Sequence, residues 1–209
     1  MSLHEIGKKH GTDKSGNNHT HHGLSYLHIY EKYLEEKRDQ KNNILELGVL
    51  GGKSIRTWHE YFPESNIIGI DIDPARKDIF NDERIEILIG SQTDEDIRDM
   101  VASKYKTLDV VIDDASHINQ LTLKSFEIYW PIIASKGVYI MEDLTYDTIT
   151  DPGINGWPGQ KYNYKNGEEY LSQGTDLLNF IVNNIIKMQH ADAVASIHLY
   201  PEIIIVTKI

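Results

Sequence analysis

Cysteine is absent from the 209-residue chain, which excludes disulfide bonds, thiolate zinc sites and a cysteine nucleophile. Basic residues are also few: 21 lysines and arginines against 32 aspartates and glutamates give a formal net charge of −11. This balance argues against a nucleic acid or an anionic membrane as the main partner. The amino terminus is polar and has no apolar leader or membrane-spanning run, so the sequence predicts a cytoplasmic protein.

The sequence does contain the pattern of an α/β protein. From residue 43, five short apolar runs alternate with segments of helical spacing, which indicates a parallel sheet with both faces covered. The runs are NILELGV, NIIGIDID, RIEILIGS, LDVVIDD and GVYIMED. The carboxyl-terminal ASIHLYPEIIIVTKI predicts two strands so closely joined at Pro201 that they pair as a hairpin, with one strand antiparallel to the rest.

The remaining segments are placed around this sheet. We expect one domain over residues 1–209, with an amino-terminal arm over residues 1–40 and a lid-like insertion over residues 145–173. The insertion is rich in glycine and aromatic residues, and it either closes over the site or forms a surface loop. Residues 176–188 predict a helix that covers the sheet or contributes to an interface in a homo-oligomer.

The first strand-to-helix turn has the composition of a nucleoside-binding loop. In ILELGVLGG, Glu46 precedes glycines that include Gly48 and Gly52, and glycines here let a ligand approach the backbone. Asp71 ends the second run about 20 residues later, where a carboxylate can accept both hydroxyls of a ribose. Leu50 stands where a dinucleotide fingerprint has its second glycine, so the pattern favours S-adenosylmethionine over a dinucleotide. The alternative is a tight turn beside a solvated acid.

Acidic residues end the fourth and fifth runs. Asp113 and Asp114 close VVIDD, and Glu142 and Asp143 close YIMED. If these strands are neighbours, their ends lie about 5 Å apart, and up to four carboxylates repel one another unless a cation lies among them. All-oxygen ligands favour Mg²⁺, Mn²⁺ or Ca²⁺ over zinc. Acids that are simply solvated are the alternative.

Together these motifs resemble a known family. The stretch LELGVLGGKSIRTWHEYFPESNIIGIDIDP, followed by IDDASH and MEDL, is similar to the class I S-adenosylmethionine-dependent methyltransferases. Within them it resembles the metal-dependent sugar O-methyltransferases of macrolide and aminocoumarin pathways, a family that also contains proteins named cephalosporin hydroxylases. The amino-terminal GTDK, with Tyr26 and Tyr30, extends the resemblance from residue 11 to about residue 145. The resemblance implies a doubly wound, Rossmann-like sheet of seven strands, mostly parallel with an antiparallel carboxyl-terminal strand.

The resemblance also implies roles for single residues in binding S-adenosylmethionine. Glu46 would line its methionine part, which Asp113 would face, and Asp71 would hold the ribose. Gln92 would lie beside the adenine, next to Ser91, where the family usually has an acid. The implied cofactor-binding residues are Glu46, Gly48, Gly52, Asp71, Ser91, Gln92, Asp113 and Tyr26.

We assign Asp114, Glu142 and Asp143 as ligands of a divalent cation, Mg²⁺ or else Mn²⁺ or Ca²⁺, with other positions left for water and substrate hydroxyls. His117 follows Asp114 by three residues on the same rim, where an imidazole can accept a proton. In this scheme, which the resemblance supports, a chelated sugar hydroxyl loses its proton to His117 and attacks the sulfonium methyl group. Asp114 and His117 are therefore the predicted catalytic residues.

Other functions remain as alternatives. A nicotinamide-dependent oxidoreductase leaves the carboxylate cluster unexplained, and a non-catalytic nucleoside-binding protein leaves Asp114 and His117 without a task. A non-haem iron hydroxylase needs two histidines beside a carboxylate, and only His117 is so placed. We interpret the amino-terminal histidines His10, His19, His21 and His22 as part of a polar loop. The predicted partner is a sugar-type small molecule, with a nucleotide-sugar, a glycosylated natural product, a polysaccharide or another diol left open.

Overall fold

The computed structural model describes residues 1–16, 24–144, 161–163, 169–171, 193–200 and 202–209. Its centre is a seven-stranded sheet in the order β3-β2-β1-β4-β5-β9-β8. The sheet strands are β1 Asn43–Leu47, β2 Asn66–Asp71, β3 Ile85–Ile89, β4 Leu108–Asp113, β5 Ile133–Met141, β8 Val194–Tyr200 and β9 Ile203–Lys208. Two short strands, β6 Lys161–Asn163 and β7 Glu169–Leu171, form a separate antiparallel pair.

The pairing confirms the predicted fold. Strands β1 to β5 pair in parallel, whereas β9 is antiparallel to both β5 and β8. The expected carboxyl-terminal hairpin is thus present, and it closes the sheet beside β5. Strand order reverses between β1 and β4, and in doubly wound sheets ligands bind beyond the carboxyl ends of the strands at this point.

Helices cover both faces of the sheet. They are α1 Leu3–His10, α2 Tyr26–Leu34, α3 Lys53–Tyr61, α4 Glu95–Tyr105 and α5 Asn119–Tyr129. Successive strand residues alternate between two cores: in β4, Val110 and Ile112 join the core that contains Trp58, and Val111 joins the one that contains Trp130. Among the described helices, none has the length and apolarity needed to cross a membrane.

The amino-terminal arm differs from the loop that its polar composition predicts. Helix α1 begins with a capping box between Ser2 and Glu5, and Gly11 ends it with a φ of 71°. Leu3 and Ile6 are fully buried in the core on this face of the sheet. The first residues of the arm are therefore a packed helix rather than a loose extension.

Helix α5 ends earlier than the spacing predicts. The helical spacing of NQLTLKSFEIYWPIIA predicts a helix through Ala134, but a short 3₁₀ turn, Trp130–Ile132, follows Tyr129, and β5 begins at Ile133. Pro131 explains the early end because proline has no backbone N–H and clashes with the preceding turn. Most of the predicted insertion and the predicted helix at residues 176–188 lie outside the described residues, so the domain assignment stays a prediction.

Candidate active site

A cleft of about 650 Å³ opens where the carboxyl ends of β1, β4 and β5 meet. Its lining combines the glycine-rich turn after β1, including Leu50, with Asp114 after β4 and Asp143 after β5. His117 lies on the same rim, just before α5. The structure thus brings the predicted catalytic residues to the switch point of the sheet, the usual ligand position in such folds.

A second cleft of about 160 Å³ adjoins the first. Asp71 lines both clefts, and the smaller one continues to Ser91 and Gln92. The Asp71 carboxylate is held in place because its Oδ2 accepts hydrogen bonds from the backbone N–H groups of Val49 and Leu50, each at 2.9 Å. The predicted ribose and adenine residues therefore share one continuous surface.

Glycine is required at Gly48 for a reason that involves no ligand. Gly48 has a φ of 90°, and a Cβ atom there would overlap the backbone carbonyl of Asp114. Gly52 has a φ of 70°, and its Cβ would overlap the ring of Phe80. The missing Cβ of Gly48 allows the turn after β1 to lie directly against the turn after β4, and the missing Cβ of Gly52 leaves room for the Phe80 ring.

Glu46 lies behind the cleft rather than in its lining. Its Oε2 accepts a hydrogen bond of 2.8 Å from the hydroxyl of Ser54, which does line the cleft. Burial raises the pKa of Glu46 to about 7, although the nearby ammonium of Lys14 opposes this shift. Glu46 therefore fixes the hydroxyl of Ser54 at the cleft, and its role in binding the cofactor stays a prediction.

The side chains of Asp113 and Asp114 point in different directions, as those of adjacent residues at a strand end do. The Asp113 carboxyl group points into the interior, where Gln92 Nε2 donates to Oδ1 at 3.3 Å and the Tyr139 hydroxyl donates to Oδ2 at 3.4 Å. Burial raises the pKa of Asp113 to about 8. Gln92, which also donates to Ser125 Oγ at 2.9 Å, is thus fixed from behind while it lines the smaller cleft.

Asp114, His117 and Asp143 form the candidate metal centre. One potential ligand atom from each lies within 4.8 Å of those of the other two. His117 Nε2 is 3.8 Å from Asp114 Oδ1 and 3.8 Å from Asp143 Oδ2, and the three side chains are 38%, 23% and 23% exposed, respectively. Two carboxylates at an open rim fit a hard divalent cation that keeps water or substrate oxygens in its remaining positions.

Glu142, the third predicted metal ligand, points inward instead. Its side chain is 2% exposed, and its Oε2 accepts a hydrogen bond of 2.6 Å from Lys14 Nζ. Burial and then the charge of Asp114 raise the pKa of Glu142 well above its usual range, an effect that Lys14 opposes. The cluster given by geometry thus contains His117 where the sequence predicts Glu142, and the ligand role of Glu142 stays a prediction.

Lys14 is a site residue that our sequence reasoning missed. Its ammonium also pairs with Asp114 Oδ2 and lies 4.0 Å from Glu46 Oε1. Although burial alone would lower the pKa of Lys14, Asp114 and Glu142 hold it well above its usual range. The sequence signal for Lys14 was the motif GTDK, but the partners of Lys14 are 100 and 128 residues away in the chain.

Tyr26 connects the rim to the carboxyl-terminal hairpin. Its hydroxyl is 2.8 Å from Asp143 Oδ1 and 3.0 Å from Glu202 Oε2, so its single hydrogen can be donated to either carboxylate. Burial, followed by the charge of Asp143, raises the pKa of the hydroxyl, which keeps Tyr26 protonated as a donor. Tyr26 thus contacts the candidate metal centre, and Glu202 is a second residue that the sequence reasoning missed.

Four of the six non-glycine residues with a positive φ in the described part of the chain lie around the site; the other two are Lys106 and Lys136. Leu50, His117, Asp143 and Glu202 have φ angles of 47°, 55°, 52° and 63°. Non-glycine residues adopt this conformation rarely, and it persists where the surroundings hold it in place. The strained positions include two of the three residues of the candidate metal centre.

Comparison with known proteins decides the family. No protein-family model matches the chain. The mycinamicin VI 2''-O-methyltransferase of Micromonospora griseorubida is 34% identical over 161 residues, which are 74% of this chain and 38% of that protein. The demethylmacrocin O-methyltransferase of Streptomyces fradiae is 32% identical over 161 residues, with the same two coverages. The chain belongs to the class I S-adenosylmethionine-dependent methyltransferases.

Solved methyltransferase structures agree with this assignment. MycE, the methyltransferase from the mycinamycin biosynthetic pathway solved with Mg, SAH and mycinamycin VI, aligns with a TM-score of 0.75 and 27% identity. The alignment covers 100% of this methyltransferase and 53% of MycE. An O-methyltransferase from Bacillus cereus in complex with SAH shares the fold, with a TM-score of 0.54, 17% identity and coverages of 99% and 90%. The chain thus spans little more than half the length of MycE, and less of the curated relatives.

Proposed function

We propose that this methyltransferase is a divalent-metal-dependent O-methyltransferase that transfers a methyl group from S-adenosylmethionine to a hydroxyl of a sugar or sugar-containing acceptor. The observation that carries the proposal is the convergence of Asp114, His117 and Asp143 at the cleft that adjoins Asp71 and Gln92. The names of the curated relatives, and the Mg and SAH present with MycE, support it.

The two adjoining clefts suit the two ends of S-adenosylmethionine. Asp71 lies where they meet, so its fixed carboxylate would accept the ribose hydroxyls, and Gln92 would line the adenine end. The methionine end would then extend toward Ser54 and the start of α3, where free backbone N–H groups favour a carboxylate. This orientation directs the sulfonium toward Asp114 and His117.

The carboxylates of the rim would hold the divalent cation, and the acceptor would bind through that cation. Asp114 and Asp143 present oxygens to the cleft, and Glu142 is the predicted third ligand. When bound, the cation lowers the pKa of an acceptor hydroxyl, and S-adenosylmethionine supplies an electrophilic methyl group. The net charge of −11 supports a small acceptor rather than a nucleic acid or a membrane surface. A homo-oligomer and a cytoplasmic location stay predictions.

His117 would remove the proton from the acceptor hydroxyl at Nε2. This atom faces the cleft between the two rim carboxylates, 3.8 Å from an oxygen of each. An imidazole within reach of the acceptor hydroxyl can take up this proton as a general base. His117 has a positive φ of 55°, a backbone conformation that persists where the surroundings hold it in place, so the position of this residue at the rim would be set before the acceptor binds.

The variant His117→Ala tests the proposal. We expect turnover with Mg²⁺ and a panel of nucleotide-sugars and glycosylated macrolides to fall about 10²- to 10⁴-fold, the usual contribution of a general base. Calorimetry should show unchanged binding of S-adenosylmethionine. His10→Ala serves as the control, because the His10 ring pairs with Glu60 and does not line the cleft.

The outcomes separate the parts of the proposal. Full activity in His117→Ala would contradict the base assignment alone. Binding of NAD instead of S-adenosylmethionine by the wild-type protein would contradict the proposed function and favour an oxidoreductase. Binding of S-adenosylmethionine with no effect of EDTA on transfer would remove the metal from the mechanism.

A further inference from the structure

A buried lysine lies among the carboxylates of the site. Lys14 belongs to the 3₁₀ turn Asp13–Ser15 of the amino-terminal arm, and its side chain is only 3% exposed. Withdrawing an ammonium group from water costs several kcal/mol unless opposite charges compensate. Here Asp114, Glu142 and the more distant Glu46 supply that compensation.

Lys14 and the cleft use different oxygens of the same carboxylate. Asp114 Oδ2 accepts from Lys14, whereas Oδ1 is the atom 3.8 Å from His117 Nε2. Glu142, bound to Lys14 on the inner side, is almost fully buried, whereas Asp114 and Asp143 remain partly exposed at the cleft. The ammonium therefore holds the inner side of the carboxylate cluster and leaves the outer side open.

We propose that Lys14 is an internal counter-ion, a positioning residue that holds Asp114 and Glu142 in place before the divalent cation binds and that weakens the binding of that cation. This inference rests on the proposed function, because it needs the cation at Asp114. It assigns the arm a second task besides packing: the arm sets the affinity of the metal centre.

Opposite effects on stability and affinity follow from one charge. Without Lys14, the carboxylates repel one another, so the cation-free protein becomes less stable. Removing Lys14 also removes a positive charge that repels the incoming cation and that competes with it for the Asp114 carboxylate. The cation therefore binds more tightly. A lysine that merely anchors the arm produces the first effect without the second.

The neutral variant Lys14→Met distinguishes these cases, with Mn²⁺ as the probe. Calorimetry should show that Lys14→Met binds Mn²⁺ at least about tenfold more tightly than the wild-type protein does. In EDTA its thermal midpoint should be lower than that of the wild type by more than about 5 °C, and saturating Mn²⁺ should remove most of this difference.

Lys9→Met is the matched control. Lys9 lies on the same arm and pairs with Glu60 at 2.8 Å, but its side chain is 55% exposed. We expect its Mn²⁺ affinity and the effect of Mn²⁺ on its thermal midpoint to equal those of the wild type. Lys14→Gln, which is neutral but polar, provides a second variant if Lys14→Met does not fold in EDTA.

Each result supports or overturns the counter-ion role. Unchanged or weaker Mn²⁺ binding in Lys14→Met, or a loss of stability that Mn²⁺ does not reduce, overturns it and leaves the proposed cation site intact. Absence of binding in both wild type and variant overturns the metal centre as well, whereas binding by the variant alone supports the counter-ion. Failure of both Lys14 variants to fold even with Mn²⁺ overturns it, because the cation should replace the ammonium.

Discussion

Among the described residues, the amino-terminal arm forms two ion clusters with the rest of the chain, and the lysines at their centres differ sharply in burial. In the outer cluster, Lys9 and His10 pair with Glu60, whose side chain is 25% exposed. In the inner cluster, the side chains of Lys14 and Glu142 are only 3% and 2% exposed, and Asp114 connects this buried pair to the cleft. Exposed pairs contribute about 0–1 kcal/mol, whereas breaking a buried pair costs about 3–5 kcal/mol because a charge is left uncompensated. Lys9 and Lys14, five positions apart, are therefore expected to contribute very differently to the free energy of unfolding.

The largest contrast between the clusters should come from neutralising one acid in each. We expect Asp114→Asn to weaken Mn²⁺ binding more than about 100-fold, beyond the 10- to 100-fold typical of residues that only orient a ligand. Methyl transfer should fall with it. Glu60→Gln should leave both quantities unchanged, as measured by calorimetry and by transfer assays. Equal effects of the two changes would contradict the assignment of Asp114 as a metal ligand.

Tyr26→Phe tests how far the inner cluster extends. The change removes the hydroxyl that contacts Asp143 and Glu202, so we expect Mn²⁺ affinity to fall about 10-fold, at the low end for a residue that orients a ligand. Tyr33→Phe is the matched control on the same helix, because its hydroxyl pairs with that of Tyr200 at 2.7 Å. A similar loss in both variants would indicate a general disturbance of α2.

Salt should weaken the ion pair between Lys9 and Glu60 in the outer cluster. Lys9→Met should lower the free energy of unfolding by no more than about 1 kcal/mol, because the pair is solvated. The difference should vanish in about 1 M NaCl, where the Debye length is about 3 Å. Urea unfolding of both proteins at low and high salt measures this difference in the free energy of unfolding. A loss that persists at high salt would show that the lysine contributes through packing.

A third contact of the arm should show a small dependence on pH. The His4 ring stacks on His28 at 3.9 Å, and burial, followed by the charge of His28, lowers the pKa of His4 below 6.5. The unfolded chain therefore binds the proton more readily, so this contribution to stability is present above about pH 6.5 and is lost as the pH falls through the lower, folded-state pKa. His4→Gln should flatten this part of the stability profile measured by urea unfolding. An unchanged profile would assign the pH dependence to other groups.

The sheet could be predicted because its strands are buried on both faces. Such strands are continuous apolar runs, and the proximity of the last two runs around Pro201 fixed their hairpin pairing. The convergence of Asp114, His117 and Asp143 followed from the rule that parallel strands end at one edge. Helix α1 was missed because eight residues, one of them Gly7, give little helical pattern, and its stability comes from caps and from burial of Leu3.

The orientation of single acids was harder to predict. Asp113 and Glu142 turn into the interior while their neighbours Asp114 and Asp143 face the cleft, although alternation along a strand contains this information. Lys14 could not be placed because its two contacts span 100 and 128 residues, and a buried lysine is rare enough that composition predicts an exposed one.

Strand β9 lies between β5 and β8 in the sheet, and this position affects how the molecule forms on the ribosome. About 60 residues separate Met141 from Ile203, so at about 5–20 residues per second the nascent chain presents β5 as an open edge for roughly 3–12 s. The contact of Tyr26 with Glu202 forms only after this interval. Translation therefore delivers Glu202, which contacts Tyr26 beside the rim, only after the first five strands have emerged.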